Sequence, residues 1–149
     1  MVNVVDKKIT KRKAVAQAKM FLGEKIVALL NDSDIHTKKG PVFQTAVIAG
    51  IQAVKKTSDL IPMCHPLPLD GIDIGIKFLN DDSILITCSV EMEGKTGVEM
   101  EALTGASIAA LTVYDMCKAI SQKMVILDVK VLKKTGGKTD ILNDPNQKK

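Results

Sequence analysis

Asp115 and Lys118 lie three residues apart in a helical pattern, so they share one helix face. An acid and an amine held together can divide proton-transfer work, each shifting the other's pKa. The plainer reading of the same spacing is a surface ion pair worth about 0.2–0.5 kcal/mol. Apolar neighbours (Ala109, Ala110, Leu111, Val113, Tyr114, Met116 and Cys117) predict that the acid is partly desolvated. A second candidate, His65, follows Cys64 inside a segment stiffened by Pro62, Pro66 and Pro68. From such a loop it can donate a hydrogen bond or shuttle a proton, although a structural histidine fits the same composition. Cys64 and His65 do not make a dyad, because adjacent side chains in an extended segment point to opposite faces. No Cys or His spacing suits zinc, so no metal is expected.

Two glycine-bearing segments could meet phosphate. Gly94-Lys95-Thr96-Gly97-Val98-Glu99-Met100-Glu101 reads as a helix start with free N–H groups and Thr96 as its cap. A simple strand-to-helix connection is the alternative. Lys133-Lys134-Thr135-Gly136-Gly137-Lys138-Thr139 resembles half a nucleotide loop, but the P-loop pattern needs glycine where Leu132 stands. Its backbone N–H groups and lysines can still surround a phosphate, and a frayed basic tail is the competing reading. Lys39-Gly40 is a weaker signal of the same kind.

The net charge of +4 favours anionic partners, yet aromatic residues make up only 3% of the chain. Single-stranded nucleic acid is usually stacked on aromatic platforms, which this chain cannot build, so nucleic acid is not an expected partner. A small polyphosphate ligand suits the modest charge better. No apolar run approaches the ~18 residues of a membrane helix, and no secretory h-region follows the N-terminal lysines. Three cysteines without CxxC spacing fit free thiols in a reducing compartment, and a cytoplasmic domain is expected.

The elements that must position these groups follow from periodicity. Val15, Ala18, Leu22, Ile26 and Leu29 predict an amphipathic helix over 14–30, closed by the turn residues Asn31-Asp32-Ser33-Asp34. Residues 35–41 read as an exposed basic loop, and 43–57 as a second helix. The proline-rich stretch 61–69 must be an ordered, non-helical loop. Alternation over Ile72–Phe78 and Ile84–Met92 around Asn80-Asp81-Asp82 predicts a hairpin. A long helix runs from about Gly97 to about Lys123, a strand spans 125–132, and a basic, glycine-bearing tail starts near 133. The whole chain, 1–149, is expected to be one α+β domain, its helices on one face of a small antiparallel sheet.

Six ordered strings carry a family resemblance: Lys39-Gly40; Ile48-Ala49-Gly50-Ile51-Gln52-Ala53; Leu60-Ile61-Pro62-Met63-Cys64-His65-Pro66-Leu67; Lys95 through Thr104; Tyr114-Asp115-Met116-Cys117-Lys118-Ala119; and Lys134-Thr135-Gly136-Gly137-Lys138. Together they resemble the MoaC family, the cyclic pyranopterin monophosphate synthases of molybdenum cofactor biosynthesis. The resemblance implies a ferredoxin-like fold and a homohexamer built as a trimer of dimers. It implies a lyase that converts 3′,8-cyclo-7,8-dihydro-GTP, supplied by a radical enzyme, into cyclic pyranopterin monophosphate and diphosphate, with no cofactor. By motif, Asp115 matches the catalytic acid/base and Lys118 its neighbouring lysine. Lys39 and Lys134 match further active-site lysines. Met63, Cys64 and His65, with Met100 and Glu101, match substrate-contacting segments. The chain departs from the pattern at Pro41, where an acid commonly follows Lys-Gly, at Val47, where a base is usual, and at Asn3, where an acid is usual.

That chemistry suits these residues. Forming a pterin ring requires proton transfers, which Asp115, Lys118 and His65 can supply. Closing a cyclic phosphate expels diphosphate, whose charge calls for Lys39, Lys118 and Lys134. A non-catalytic nucleotide-binding module is the rival, but an acid beside a polyphosphate would only weaken a mere binder. One geometric difficulty follows. Glu101 and Asp115 are fourteen residues apart in one helical pattern, so an unbroken helix holds them ~21 Å apart. Either Gly105 breaks the helix, or each site takes one group from a neighbouring subunit; the implied oligomer favours the second.

Overall fold

The computed structural model describes residues 1–79 and 81–143. In chain order the elements are β1 (Thr10–Phe21), α1 (Glu24–Val27), β2 (Leu30–Asn31), β3 (Asp34–Thr37), β4 (Gly40–Pro41), α2 (Val42–Lys55), α3 (Thr57–Leu60), β5 (Gly71–Phe78), β6 (Ser83–Gly94), α4 (Glu99–Cys117), β7 (Val125–Thr135) and β8 (Ile141–Leu142). The main sheet has the order β5-β6-β1-β7-β8, and every neighbouring pair in it is antiparallel. The long elements run β-α-β-β-α-β, with α2 and α4 packed on one face, which is the ferredoxin-like α+β arrangement.

The clearest departure from the sequence reading is at 14–30, where the predicted helix is the central strand β1, followed by the single turn α1. Ala14, Ala16, Ala18, Met20 and Leu22 are all fully buried, a period of two that competes with the helical spacing of Val15, Ala18, Leu22 and Ile26. Partners distant in sequence decide the contest. β1 pairs with β6 on one side (Ala14↔Val90, Ala18↔Ile86) and with β7 on the other (Ala18↔Val129), so both edges of its backbone are satisfied. Its small side chains let the helices lie close to the sheet.

The helices approach each other just as closely. A Cβ at Gly50 would stand 2.6 Å from Ile74 Cδ1 and 2.9 Å from the Gly105 carbonyl oxygen. One at Gly105 would stand 2.5 Å from Val54 and 2.7 Å from the Cys88 sulfur. Gly105 is thus a packing residue, and α4 runs through it without interruption.

Other boundaries shift for identifiable reasons. Residues 35–41 are not a loop but the ladder of β3 with β4, and Ile35 is fully buried. Asp32 and Ser33 form the two-residue turn before it, both with positive φ (47° and 68°). α4 ends at Cys117 rather than near Lys123, where the Ile120 N–H bonds the Cys117 carbonyl three residues back and tightens the chain into a turn. Thr96 does not cap it; Val98 occupies the N-cap position without a side-chain cap. The segment from 133 is not a free tail either. β7 continues to Thr135, Gly136 turns with φ 84°, and β8 pairs back on Lys133 and Lys134. The end of that predicted tail, 144–149, lies outside the described residues. The helix at 42–55, the non-helical proline segment and the two strands of the β5–β6 hairpin stand where the sequence placed them, while Asn80 of the expected turn lies outside the described residues.

Candidate active site

The expected site residues form two groups, one at each end of α4. At its C-terminal end, Asp115 binds two ammonium groups. Lys118 Nζ lies 2.7 Å from Oδ1, and Lys39 Nζ lies 2.7 Å from Oδ2 and 3.0 Å from the Asp115 carbonyl oxygen. Lys39 arrives from the turn between β3 and β4, so the tertiary fold adds a second cation to the i,i+3 pair. Asp115 is itself the charge partner of Lys39. Asp115 is 55% exposed on its side chain, contrary to the desolvation that its apolar neighbours predicted. Ala109, Ala110, Val113, Met116 and Cys117 turn inward, whereas Leu111 stays exposed and the carboxylate faces water. Hydrogen bonds from Lys118 and then Lys39 hold its carboxyl down at about 2, and the Lys118 ammonium is held above its ordinary value by the same bond.

At the N-terminal end, Met63, Cys64, His65, Met100 and Glu101 line a common cleft of about 450 Å³. Cys64 and His65 both line this cleft. His65 Nε2 donates to the Val2 carbonyl oxygen at 2.9 Å, which fixes the ring's Nε2–H. Lys95 Nζ likewise donates to the Val5 carbonyl at 2.6 Å, so the N-terminal segment forms one wall. Glu101 is only 3% exposed, and burial pushes its carboxyl up; the Glu99 charge acts in the same direction. Burial and the Glu101 charge also raise the Cys64 thiol, so Cys64 is no ready nucleophile. All three cysteines are free.

A second cleft of about 490 Å³ adjoins the first, sharing Lys7, Thr96, Gly97 and Glu99 with it. Seven cations line it: Lys7, Lys8, Arg12, Lys13, Lys95, Lys134 and Lys138. Among the described residues Glu99 is the one carboxylate in its wall, 2.7 Å from Lys134 Nζ. Burial would raise Glu99, but the Lys134 ammonium, with Glu99's own backbone N–H and Arg12, outweighs it and holds the carboxyl low. Seven positive groups about one paired acid suit an anion that carries several charges. Arg12 and the lysines at 7, 8 and 13 were not among the expected site residues, and Lys95 and Glu99 lay in a segment read as able to meet phosphate but had no individual role. The charge at 7–13 was visible in the sequence, but reading the next segment as a helix aimed it nowhere.

One chain does not unite the two groups. Fourteen residues of unbroken helix put Glu101 and Asp115 ~21 Å apart. Among the described residues no three His, Cys, Asp or Glu side chains gather to hold a metal ion. No described helix is long and apolar enough to cross a membrane.

Known proteins are similar to this chain in sequence. The cyclic pyranopterin monophosphate synthase of Xanthomonas campestris pv. campestris is 50% identical over 141 residues, which cover 95% of this chain and 86% of that protein. The molybdenum cofactor biosynthesis bifunctional protein of Synechocystis sp. is 50% identical over 97% of this chain. Molybdenum cofactor biosynthesis protein 1 of Dictyostelium discoideum is 46% identical over 93% of it. The chain spans only 43% and 25% of the lengths of these last two relatives. The sequence model of the MoaC family matches residues 1–137, taking in every expected site residue, and the chain belongs to that family.

Proposed function

We propose that the chain is a cyclic pyranopterin monophosphate synthase: a lyase that converts 3′,8-cyclo-7,8-dihydro-GTP into cyclic pyranopterin monophosphate and diphosphate in the cytoplasm. The observation that carries this reading is the cationic cleft opening directly onto the His65–Glu101 cleft. Phosphates of a nucleotide-derived substrate fit the lysines, and its ring system then meets groups that hold or move protons.

The roles divide by environment. Glu101, buried and raised, keeps its proton longer than an ordinary carboxyl and suits proton donation. Asp115 is a carboxylate pinned by two ammonium groups, hence a weak base in the free protein. A phosphate that draws Lys39 or Lys118 away removes a hydrogen bond from Asp115 and makes it more basic. Substrate binding thereby prepares the base. Lys134, Lys39 and Lys118 offset the charge that develops as diphosphate leaves.

The complete site belongs to two subunits. Met100 and Leu111 (52% exposed) lie along α4 with the half-buried Leu103 and Ile108, an apolar stripe suited to a second copy. A two-fold axis across that stripe sets the Glu101 end of one α4 against the Asp115 end of the other. Three such dimers give the expected hexamer. The test is incubation of purified protein with the cyclised GTP derivative, with detection of cyclic pyranopterin monophosphate and diphosphate in equal amounts. GTP alone should give neither. Unchanged cyclised substrate would refute the assignment.

A further inference from the structure

Asp34 opens β3 and is only 7% exposed, although it belongs to neither site group. Its Oδ1 accepts from the N–H groups of Ile35 at 2.6 Å and Phe43 at 2.7 Å, and its Oδ2 accepts from Gln44 N–H at 3.2 Å. The last two donors are the second and third residues of α2, whose N-cap position is Pro41. Proline has no side-chain oxygen, so these N–H groups cannot be capped locally. The cap comes instead from seven residues earlier, across the β3–β4 hairpin.

That detour has a consequence for Lys39. The hairpin is fastened at its base, where Asp34 ties the start of β3 to the start of α2. Between the fastened points His36 pairs with Pro41 and Thr37 with Gly40, leaving Lys38 and Lys39 as the turn. Lys39 N–H bonds Thr37 Oγ1 at 3.1 Å, and its ammonium reaches Asp115. Asp34 thus joins the start of β3 to the first turn of α2. Its charge also reaches the last residue of α4, where the buried Cys117 thiol is raised to about 11 by burial and then by Asp34.

We propose that Asp34 is a positioning residue for the reaction: by capping α2 across the hairpin it holds the Lys38-Lys39 turn so that Lys39 stands against Asp115. It touches no reacting atom and acts through Lys39, so it rests on the reading of Lys39 and Asp115 as site groups. A capping acid at position 41 would stabilise α2 equally but would leave the base of the hairpin untied.

That difference supplies the test. kcat/KM for the cyclised GTP derivative and thermal stability are measured for Asp34→Ala, for Asp34→Ala/Pro41→Asp, for Lys39→Ala, and for Lys39→Ala combined with each. Pro41→Asp restores a capping oxygen without the tie, so the double variant carries the measurement if Asp34→Ala alone does not fold. Loss of the tie should lower kcat/KM roughly 10- to 100-fold, the scale of a misplaced group. Pro41→Asp should recover stability but not kcat/KM, and removing Asp34 from Lys39→Ala should cost less than about 2-fold more. Recovery of kcat/KM along with stability, or losses that multiply fully, would overturn the proposal by reducing Asp34 to a helix cap. Wild-type kcat/KM in Lys39→Ala would overturn it differently, by removing the site assignment beneath it.

Discussion

Asp115 and Glu101 stand on one unbroken helix, and their surroundings push their carboxyls in opposite directions. Lys118 and Lys39 hold Asp115 at about 2, whereas burial raises Glu101. Two carboxyls with divergent proton affinities are the usual means of running acid and base steps at one pH. Here the separation arises simply from position, because one helix end is solvated among lysines and the other faces the core.

Asp115→Asn should fold and assemble normally, since the side chain is exposed and nearly isosteric. It should lose most turnover, because the amide cannot accept the proton. Steady-state kinetics on the cyclised substrate checks this, and wild-type kcat in a folded variant would exclude Asp115 as the base.

Glu101→Gln separates catalysis from stability through pH. The folded-state carboxyl is raised above 4.5, so the stability it contributes is full below that value and declines as pH rises through the raised one. The neutral glutamine lacks that decline. The variant's Tm should therefore exceed wild type near neutral pH, and the gap should narrow toward pH 4.5 while turnover stays low throughout. A gap independent of pH would show that Glu101 is not a raised acid.

Lys134→Ala leaves Glu99, about a quarter exposed, without its partner, and should destabilise by roughly 1–2 kcal/mol. Adding Glu99→Gln should recover most of that stability. It should not recover substrate affinity, which falls because a cation near the phosphates is gone. Lys39→Ala should weaken affinity as well. Both losses should shrink as salt rises, since added ions screen the same attraction in wild type. KM values that match wild type at every ionic strength would return both lysines to surface roles.

How much of this was legible in the sequence depends on how local each decision is. The β5–β6 hairpin and the proline segment are fixed by short-range alternation and by φ restrictions, and both were readable. So was the shared face of Asp115 and Lys118. β1 was not, because alanines at every second position suit a helix equally well until β6 and β7 pair with them from more than sixty residues away. The same distance hid the cationic cleft. Glu99 meets Lys134 across thirty-five residues, and Lys7, Lys8 and Arg12 join them only once β1 is a strand. Lys39 showed nothing locally beyond a lysine before a glycine; the family resemblance pointed to it, and the tertiary fold supplied its partner.

The proposed two-subunit site yields the most decisive prediction. Gly105 does not break α4, so the alternative in which one chain folds Glu101 back onto Asp115 is closed. Neither Glu101→Ala nor Asp115→Ala homo-oligomers should turn over, since every site in each lacks one carboxyl. Dissociating and reassembling the two proteins together creates mixed interfaces. At such an interface one of the two symmetry-related sites draws an intact Glu101 from one chain and an intact Asp115 from the other, while its mate has neither. With random pairing of equal amounts, half the dimers are mixed and each has one competent site of two. Activity should therefore return to about a quarter of wild type. Varying the ratio should trace a curve that peaks at equal amounts and vanishes at both ends. Mixed oligomers that form, as mass analysis of tagged chains would reveal, yet stay inactive at every ratio would mean that these two residues do not meet across subunits.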